Sequence, residues 1–162
     1  MKINLQRTIT SLTNALDFVG TDEFQHGKRV ALMAATIADE LNWTQARREK
    51  MLYAGMIHDC GVSRAREHRA ITDTLEWEGA QQHCLRGADY LAACLPLAHF
   101  SGIVRWHHTR WEALLLEDLN NDLRLEANLI FLADRADVLL APYFVGASLE
   151  NEILWEYPEV VE

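Results

Sequence analysis

Apolar residues recur at three- and four-residue steps along nearly all of this chain, the spacing at which a helix gathers them on one face. β-Branched runs are scarce, and only 3 prolines and 8 glycines interrupt the 162 residues. The pattern predicts an all-α fold, a bundle of about six to seven helices. The period places them at Asn4–Val19, Asp22–Leu41, Thr44–His58, Glu78–Cys94, Leu97–His108 and Asp122–Ala141, with a shorter one over Arg64–Ile71. Thr44 suits an N-cap, and Pro96 fits a first helical turn, where a missing N–H costs nothing. Trp111–Asp122 reads as loop, and the period fades after Pro142.

With 49% hydrophobic residues, the chain is long enough for one domain covering residues 1–162. Its ending, "YPEVVE", would also suit a domain cut from a longer protein and fused to signalling domains. No apolar stretch is long enough to span a bilayer, and "MKINLQRTITSLTNALDFVG" lacks the apolar block of a signal peptide. The expectation is a cytoplasmic protein with no membrane partner. Apolar faces on Asn4–Val19 and after Pro142 would support a homodimer. Cys60, Cys84 and Cys94 form no C-x-x-C pair and read as reduced, mostly buried thiols outside any metal site. A net charge of -9 disfavours duplex nucleic acid as a partner. It still permits a small anion held by metal ions or a few arginines.

Against that apolar background, ligand-type residues sit on or beside the apolar stripes of several helices. The run "YAGMIHDCGV" ends in His58 and Asp59, after Leu52 and Met56. His26 opens a stripe with Val30, Met33, Ile37 and Leu41, and His83 leads Gly87, Tyr90 and Leu91. His107 and His108 follow Ile103 and Val104, and Asp134 lies between Ile130 and Val138. His68 and His99 fit no stripe and read as surface or loop residues. One buried histidine is ordinarily a core residue bonded to a carbonyl. Five imidazoles and two carboxylates converging from five helices instead form a cluster that divalent first-row metals would satisfy.

The order of these residues resembles the signature of the HD-domain metal-dependent phosphohydrolases: a histidine, then the His58-Asp59 pair, then a distant aspartate. Three further stretches resemble the HD-GYP subgroup. "HCLRGADYL" is similar to its H-x-x-x-G helix, "RWHHTRW" to its paired histidines, and "LIFLADRADVLL" to its V-A-D-x-x-D-A-L helix. The likeness covers roughly Asp22 to Leu140 and implies an HD-domain helical bundle with a metal site in its core. By that resemblance His26, His58, Asp59 and Asp134 hold one divalent ion. Asp59 bridges to a second ion held by His83, His107 and His108. Fe or Mn fits such ligands best, with Zn a further candidate. Asp22, one turn before His26, would reach a third ion or simply favour the helix N-terminus. Asp137 would hydrogen-bond a ligand histidine.

The implied activity is phosphohydrolysis, with Asp59 and His58 at the catalytic centre and two ions activating water against a phosphoester. The substrate would be a small phosphorylated molecule: a cyclic dinucleotide such as cyclic-di-GMP, or another nucleotide. The chain departs from the subgroup in its recognition elements. Val62 replaces the lysine of "HD-x-G-K", Thr109 replaces a glutamate, and "TRWEALLLEDLNND" replaces the Gly-Tyr-Pro loop. Arg64 and Arg66, then Arg86 and Arg110, are the candidates to hold phosphate instead. Trp106 and Trp111 are candidates to stack a base. The alternative function is a catalytically impaired regulatory module that binds a nucleotide or a partner protein.

Overall fold

The computed structural model describes residues 4–19, 25–63 and 80–140. Among them are helices α1 (Leu5–Val19), α2 (His26–Glu40), α3 (Gln45–Ile57), α4 (Ala80–Ala92), α5 (Ser101–Trp106), α6 (Trp111–Leu114) and α7 (Asn121–Leu140). A 3₁₀ turn at Ala98–Phe100 leads into α5, and the described residues contain no strand. Short polar side chains cap three of the helices. Asn4 Oδ1 accepts from the Arg7 N–H at 3.0 Å, and Asn120 Oδ1 from the Leu123 N–H at 2.8 Å. Thr44 takes the expected capping role, accepting from the Arg47 N–H.

Two boundaries differ from expectation, and both shape the site. Gln25 has φ 72°, a left-handed conformation, so α2 starts at His26 and not upstream. Such a φ is unfavourable for a residue with a Cβ, by about 1–2 kcal/mol. The expected helix Leu97–His108 is broken into the 3₁₀ turn and the six residues of α5, with Pro96 in the turn before them. Because α5 stops at Trp106, His107 and His108 lie in a turn. On a continuing helix, neighbours would point about 100° apart. The stretch expected as loop contains the single turn of α6. The short helix expected over Arg64–Ile71 lies outside the described residues.

The centre of the bundle is the α2–α3 pair, with α7 across α2 and α5 against α4 and α7. Small residues let α2 and α3 meet closely: Ala31, Ala34, Ala35 and Ala38 are all buried. A Cβ on Gly55 would lie 2.5 Å from the Cα of Ala31. The expected stripes hold at Val30, Leu52, Met56, Leu91 and Ile130, but Leu41 and Tyr90 are 55% and 60% exposed. Leu41 lies just past the last residue of α2, and Tyr90 lies on an exposed side of α4. Buried Glu126 on α7 receives Arg47 at 3.1 Å and Lys50 at 2.6 Å, tying α7 to α3. Thr13 on α1 donates its hydroxyl to the carbonyl of Met56 at 3.0 Å. No helix among the described residues is long and apolar enough to cross a membrane.

Candidate metal centre

His58 and His107 each follow the last residue of a helix, α3 and α5. There, carbonyls lack helical partners and a histidine can donate back to them. His58 Nδ1 donates to the Gly55 carbonyl at 2.7 Å, and His107 Nδ1 to that of Val104 at 2.6 Å. His26 opens α2 and gives its Nδ1 proton to Asp137 Oδ2 at 2.7 Å. With Nδ1 engaged, all three present Nε2 to the centre of the bundle. This is why "HD" ends a buried helix: the chain leaves the helix there, so two neighbouring side chains face one point.

Asp59 is that point. Its Oδ2 lies 3.3 Å from His58 Nε2 and 3.8 Å from His26 Nε2. Its Oδ1 lies 3.2 Å from His83 Nε2 and 3.5 Å from His107 Nε2. Asp134 Oδ1 approaches His26 Nε2 at 3.4 Å and His58 Nε2 at 3.9 Å, and its Oδ2 approaches His108 Nε2 at 3.8 Å. The seven expected residues thus come together, with Asp59 between two groups of imidazoles and Asp134 also reaching His108. The side chain of His108 is 6% exposed and the others are also buried.

The donors fit divalent ions. His58 Nε2, His108 Nε2, both oxygens of Asp59 and Asp134 Oδ1 are buried without a hydrogen-bond partner. Such orphans are normally filled by protein, water or an ion. Here imidazole nitrogens and carboxylate oxygens converge with one cysteine sulfur beside them, a donor set suited to first-row metals.

Electrostatics divides the cluster along the same line. Burial would lower His26, but Asp134 and Asp137 outweigh it and push the imidazole up to about 10. Burial also opposes protonation of His58, yet Asp59 beside it raises that group too. Burial would raise Asp59, but His58, His107 and His83 hold its carboxyl well below the usual range. In the other group burial dominates, lowering His107 and taking His108 down to about 2. The metal-free protein therefore favours a proton at His26 Nε2, where an ion would sit, and His58 is pushed in the same direction. His26 in the unfolded chain titrates near 6.5, so its stabilisation is full below that pH and is lost as the pH rises through about 10. Chelated protein is expected to melt at progressively lower temperature from pH 7 to 10. Metal-loaded protein, with an ion in place of the His26 Nε2 proton, should hold its melting temperature. Thermal melts with and without chelator check this, and parallel pH profiles would contradict it.

Three participants escape sequence reading. Arg29 clamps Asp137 through Nε at 2.6 Å and a terminal nitrogen at 2.8 Å, so the carboxylate that orients His26 is itself fixed. The H-x-x-R and D-x-x-D spacings on facing helices were the available signal. Arg135 holds Asp134 Oδ2 at 2.7 and 3.1 Å. Cys84, expected to stand apart from any metal site, instead groups with His83, His107 and His108, all donor atoms within 4.8 Å. As neighbours of site residues, Arg135 and Cys84 carry no periodic signal. Asp137→Asn is expected to weaken metal binding about 10–100-fold by loosening His26. A chelator-competition titration measures that, and unchanged affinity would remove Asp137 from the account.

Other candidates fare differently. Arg86 donates Nε to the Gly61 carbonyl at 2.9 Å, bracing the turn after Asp59. Arg110 is exposed before α6, and Trp106 and Trp111 are half-buried. Thr109 is buried, and Val62 is half-buried where a lysine would stand. Of the three thiols, Cys84 is buried, Cys60 half-buried and Cys94 exposed, and none forms a disulfide. His99 is exposed as expected. Asp22, Arg64, Arg66 and His68 lie outside the described residues.

An all-α bundle closing on a histidine–aspartate cluster is the architecture of an HD domain. The HD domain family matches residues 24–139, and the chain belongs to that family. Over 141 residues it is also 37% identical to the 3'3'-cGAMP-specific phosphodiesterase 1 of Vibrio cholerae serotype O1 (strain ATCC 39315 / El Tor Inaba N16961). That match covers 87% of this chain but 33% of the relative, so the chain spans about a third of the relative's length. No solved structure matches.

Proposed function

We propose that this chain is a metal-dependent phosphodiesterase domain acting on a cyclic dinucleotide. His26, His58, Asp59 Oδ2 and Asp134 Oδ1 would hold one divalent ion; Asp59 Oδ1, His83, His107 and His108 would hold the second. The observation that carries the reading is Asp59, whose two oxygens face two different sets of imidazoles at 3.2–3.8 Å. A carboxylate so placed lets two ions share one substrate. When bound, the ions supply a lowered water pKa and Lewis-acid stabilisation of the phosphoryl oxygens.

The protein's own residues set the rest. Asp137 and Arg29 fix the ring of His26, and Arg135 occupies Asp134 Oδ2 so that Oδ1 faces the centre. Two divalent ions outweigh the charges of Asp59 and Asp134, leaving a locally cationic pocket in a chain of net charge -9. An anionic phosphodiester is drawn to such a pocket without a lysine at Val62. Arg110, exposed and two residues after the paired histidines, is a candidate to reach phosphate; Arg64 and Arg66 remain candidates by sequence alone. The HD family supports phosphohydrolysis, and the name of the Vibrio relative supports a cyclic dinucleotide over a mononucleotide.

The test is incubation of Mn- or Fe-loaded protein with 3'3'-cGAMP and with cyclic-di-GMP, read by chromatography of linear dinucleotide and mononucleotide products. Hydrolysis of either supports the reading, and the ratio names the preferred substrate. No hydrolysis by fully loaded protein, with one of them bound, would instead establish the regulatory module that Val62 and Thr109 would suit.

A further inference from the structure

We infer that Cys84 Sγ is a ligand of the ion held by His83 and His107, making that position a mixed nitrogen, oxygen and sulfur site selective for a thiophilic metal. This rests on the two-ion reading above and narrows it. Cys84 is fully buried on α4, and its Sγ lies 3.7 Å from His83 Nε2. That nitrogen is in turn 3.3 Å from His107 Nε2 and 3.2 Å from Asp59 Oδ1.

These three separations, all from His83 Nε2, are the spacings expected between donors on one ion. Bonds of about 2.1 Å to nitrogen and oxygen give edges of about 3.4 Å, and a bond of about 2.3 Å to sulfur gives a sulfur–nitrogen edge of about 3.6 Å. Cys60 is different: its Sγ lies 3.9 Å from the Gly87 carbonyl, and it belongs to neither donor group.

On binding, the Cys84 S–H bond breaks heterolytically as the sulfur–metal bond forms. The proton leaves to solvent, and no electron is transferred. A thiolate in the set favours Zn, Fe or Co over Mn and Mg. The half of the centre built on His26 and His58 has no sulfur and lacks that bias. The two positions therefore differ in metal preference, which two all-imidazole and carboxylate positions would not.

The test uses the whole chain loaded anaerobically with Co(II). Wild type is expected to show visible d–d bands and a near-ultraviolet thiolate-to-cobalt charge-transfer band. Cys84→Ser should lose the near-ultraviolet band and keep the d–d bands, while Cys60→Ser and Cys94→Ser keep both. The preference for Zn over Mn at the second equivalent is expected to fall at least about tenfold in Cys84→Ser. Wild type with d–d bands but no charge-transfer band overturns the ligand while leaving the two-ion reading intact. A band that survives in Cys84→Ser does the same. No Co(II) binding at all overturns both. Zinc-edge X-ray absorption on wild type, expecting one sulfur at about 2.3 Å, decides the matter even if the variants do not fold.

Discussion

Replacing Asp59 with alanine is expected to reduce turnover by at least about a thousandfold, the scale associated with removing charge stabilisation from a transition state. The size follows from the shared position of this carboxylate. Asp59 faces His26 and His58 with one oxygen and His83 and His107 with the other, four imidazoles against the three that Asp134 approaches. Metal content should drop from two equivalents to one or fewer. The fold should persist, because Asp59 lies in the turn beyond α3, outside the apolar core that packs the helices together. Ions that bind only the folded chain stabilise it, so wild type should melt at higher temperature with metal than with chelator. In the variant that difference should shrink. Circular dichroism, elemental analysis and product chromatography on one preparation check all three. Full turnover in Asp59→Ala would end the two-ion reading.

Gly61→Ala is expected to be the most damaging small substitution outside the ligands. Gly61 sits in the turn after Asp59, where its backbone meets α4 with nothing between them. An added Cβ would run into the His83 carbonyl oxygen and the backbone of Gly87. Gly87 is hemmed in as well, its own Cβ position being 2.9 Å from a Val104 methyl. Neither partner is a flexible side-chain end, so α4 or the turn must move. Such overpacking costs about 3 kcal/mol, or a fall of roughly 6–12 °C in melting temperature. The displacement also separates Asp59 from His83, now 3.2 Å apart. A misplacement of about 1 Å can cost about a hundredfold in rate. Thermal melts and metal titration together read both effects. A variant that melts and binds metal like wild type would show that the turn does not meet α4 backbone to backbone.

The parts of this site that were legible in the sequence are those that obey helical periodicity or close a helix. His26, His58, His83 and Asp134 sit among apolar residues at helical spacing, and the structure places all four in the core. Periodicity could not show how a helix starts or stops when the backbone decides. Asp22 looked like the acidic start of α2, but the left-handed Gln25 moves that start to His26. Ile103, Val104 and Trp106 looked like one continuing helix, yet α5 ends there and frees two consecutive histidines to turn inward.

Contacts made by adjacent residues, or across helices far apart in the chain, left still less trace. Arg29 meets Asp137 only because α2 and α7 cross. Cys84 and Arg135 reach the centre beside residues already recognised, where a 100° step per residue would direct them elsewhere. Alanines, too small to stand out in an apolar stripe, proved to govern how closely α2 approaches α3.

The most direct test of the central claim is metal content per chain, by elemental mass spectrometry on protein purified without oxygen or chelator. The seven converging ligands predict about two equivalents of Fe, Zn or Mn in wild type, and one or fewer in Asp59→Ala. Wild-type protein that holds no metal and takes up none on reconstitution would contradict it.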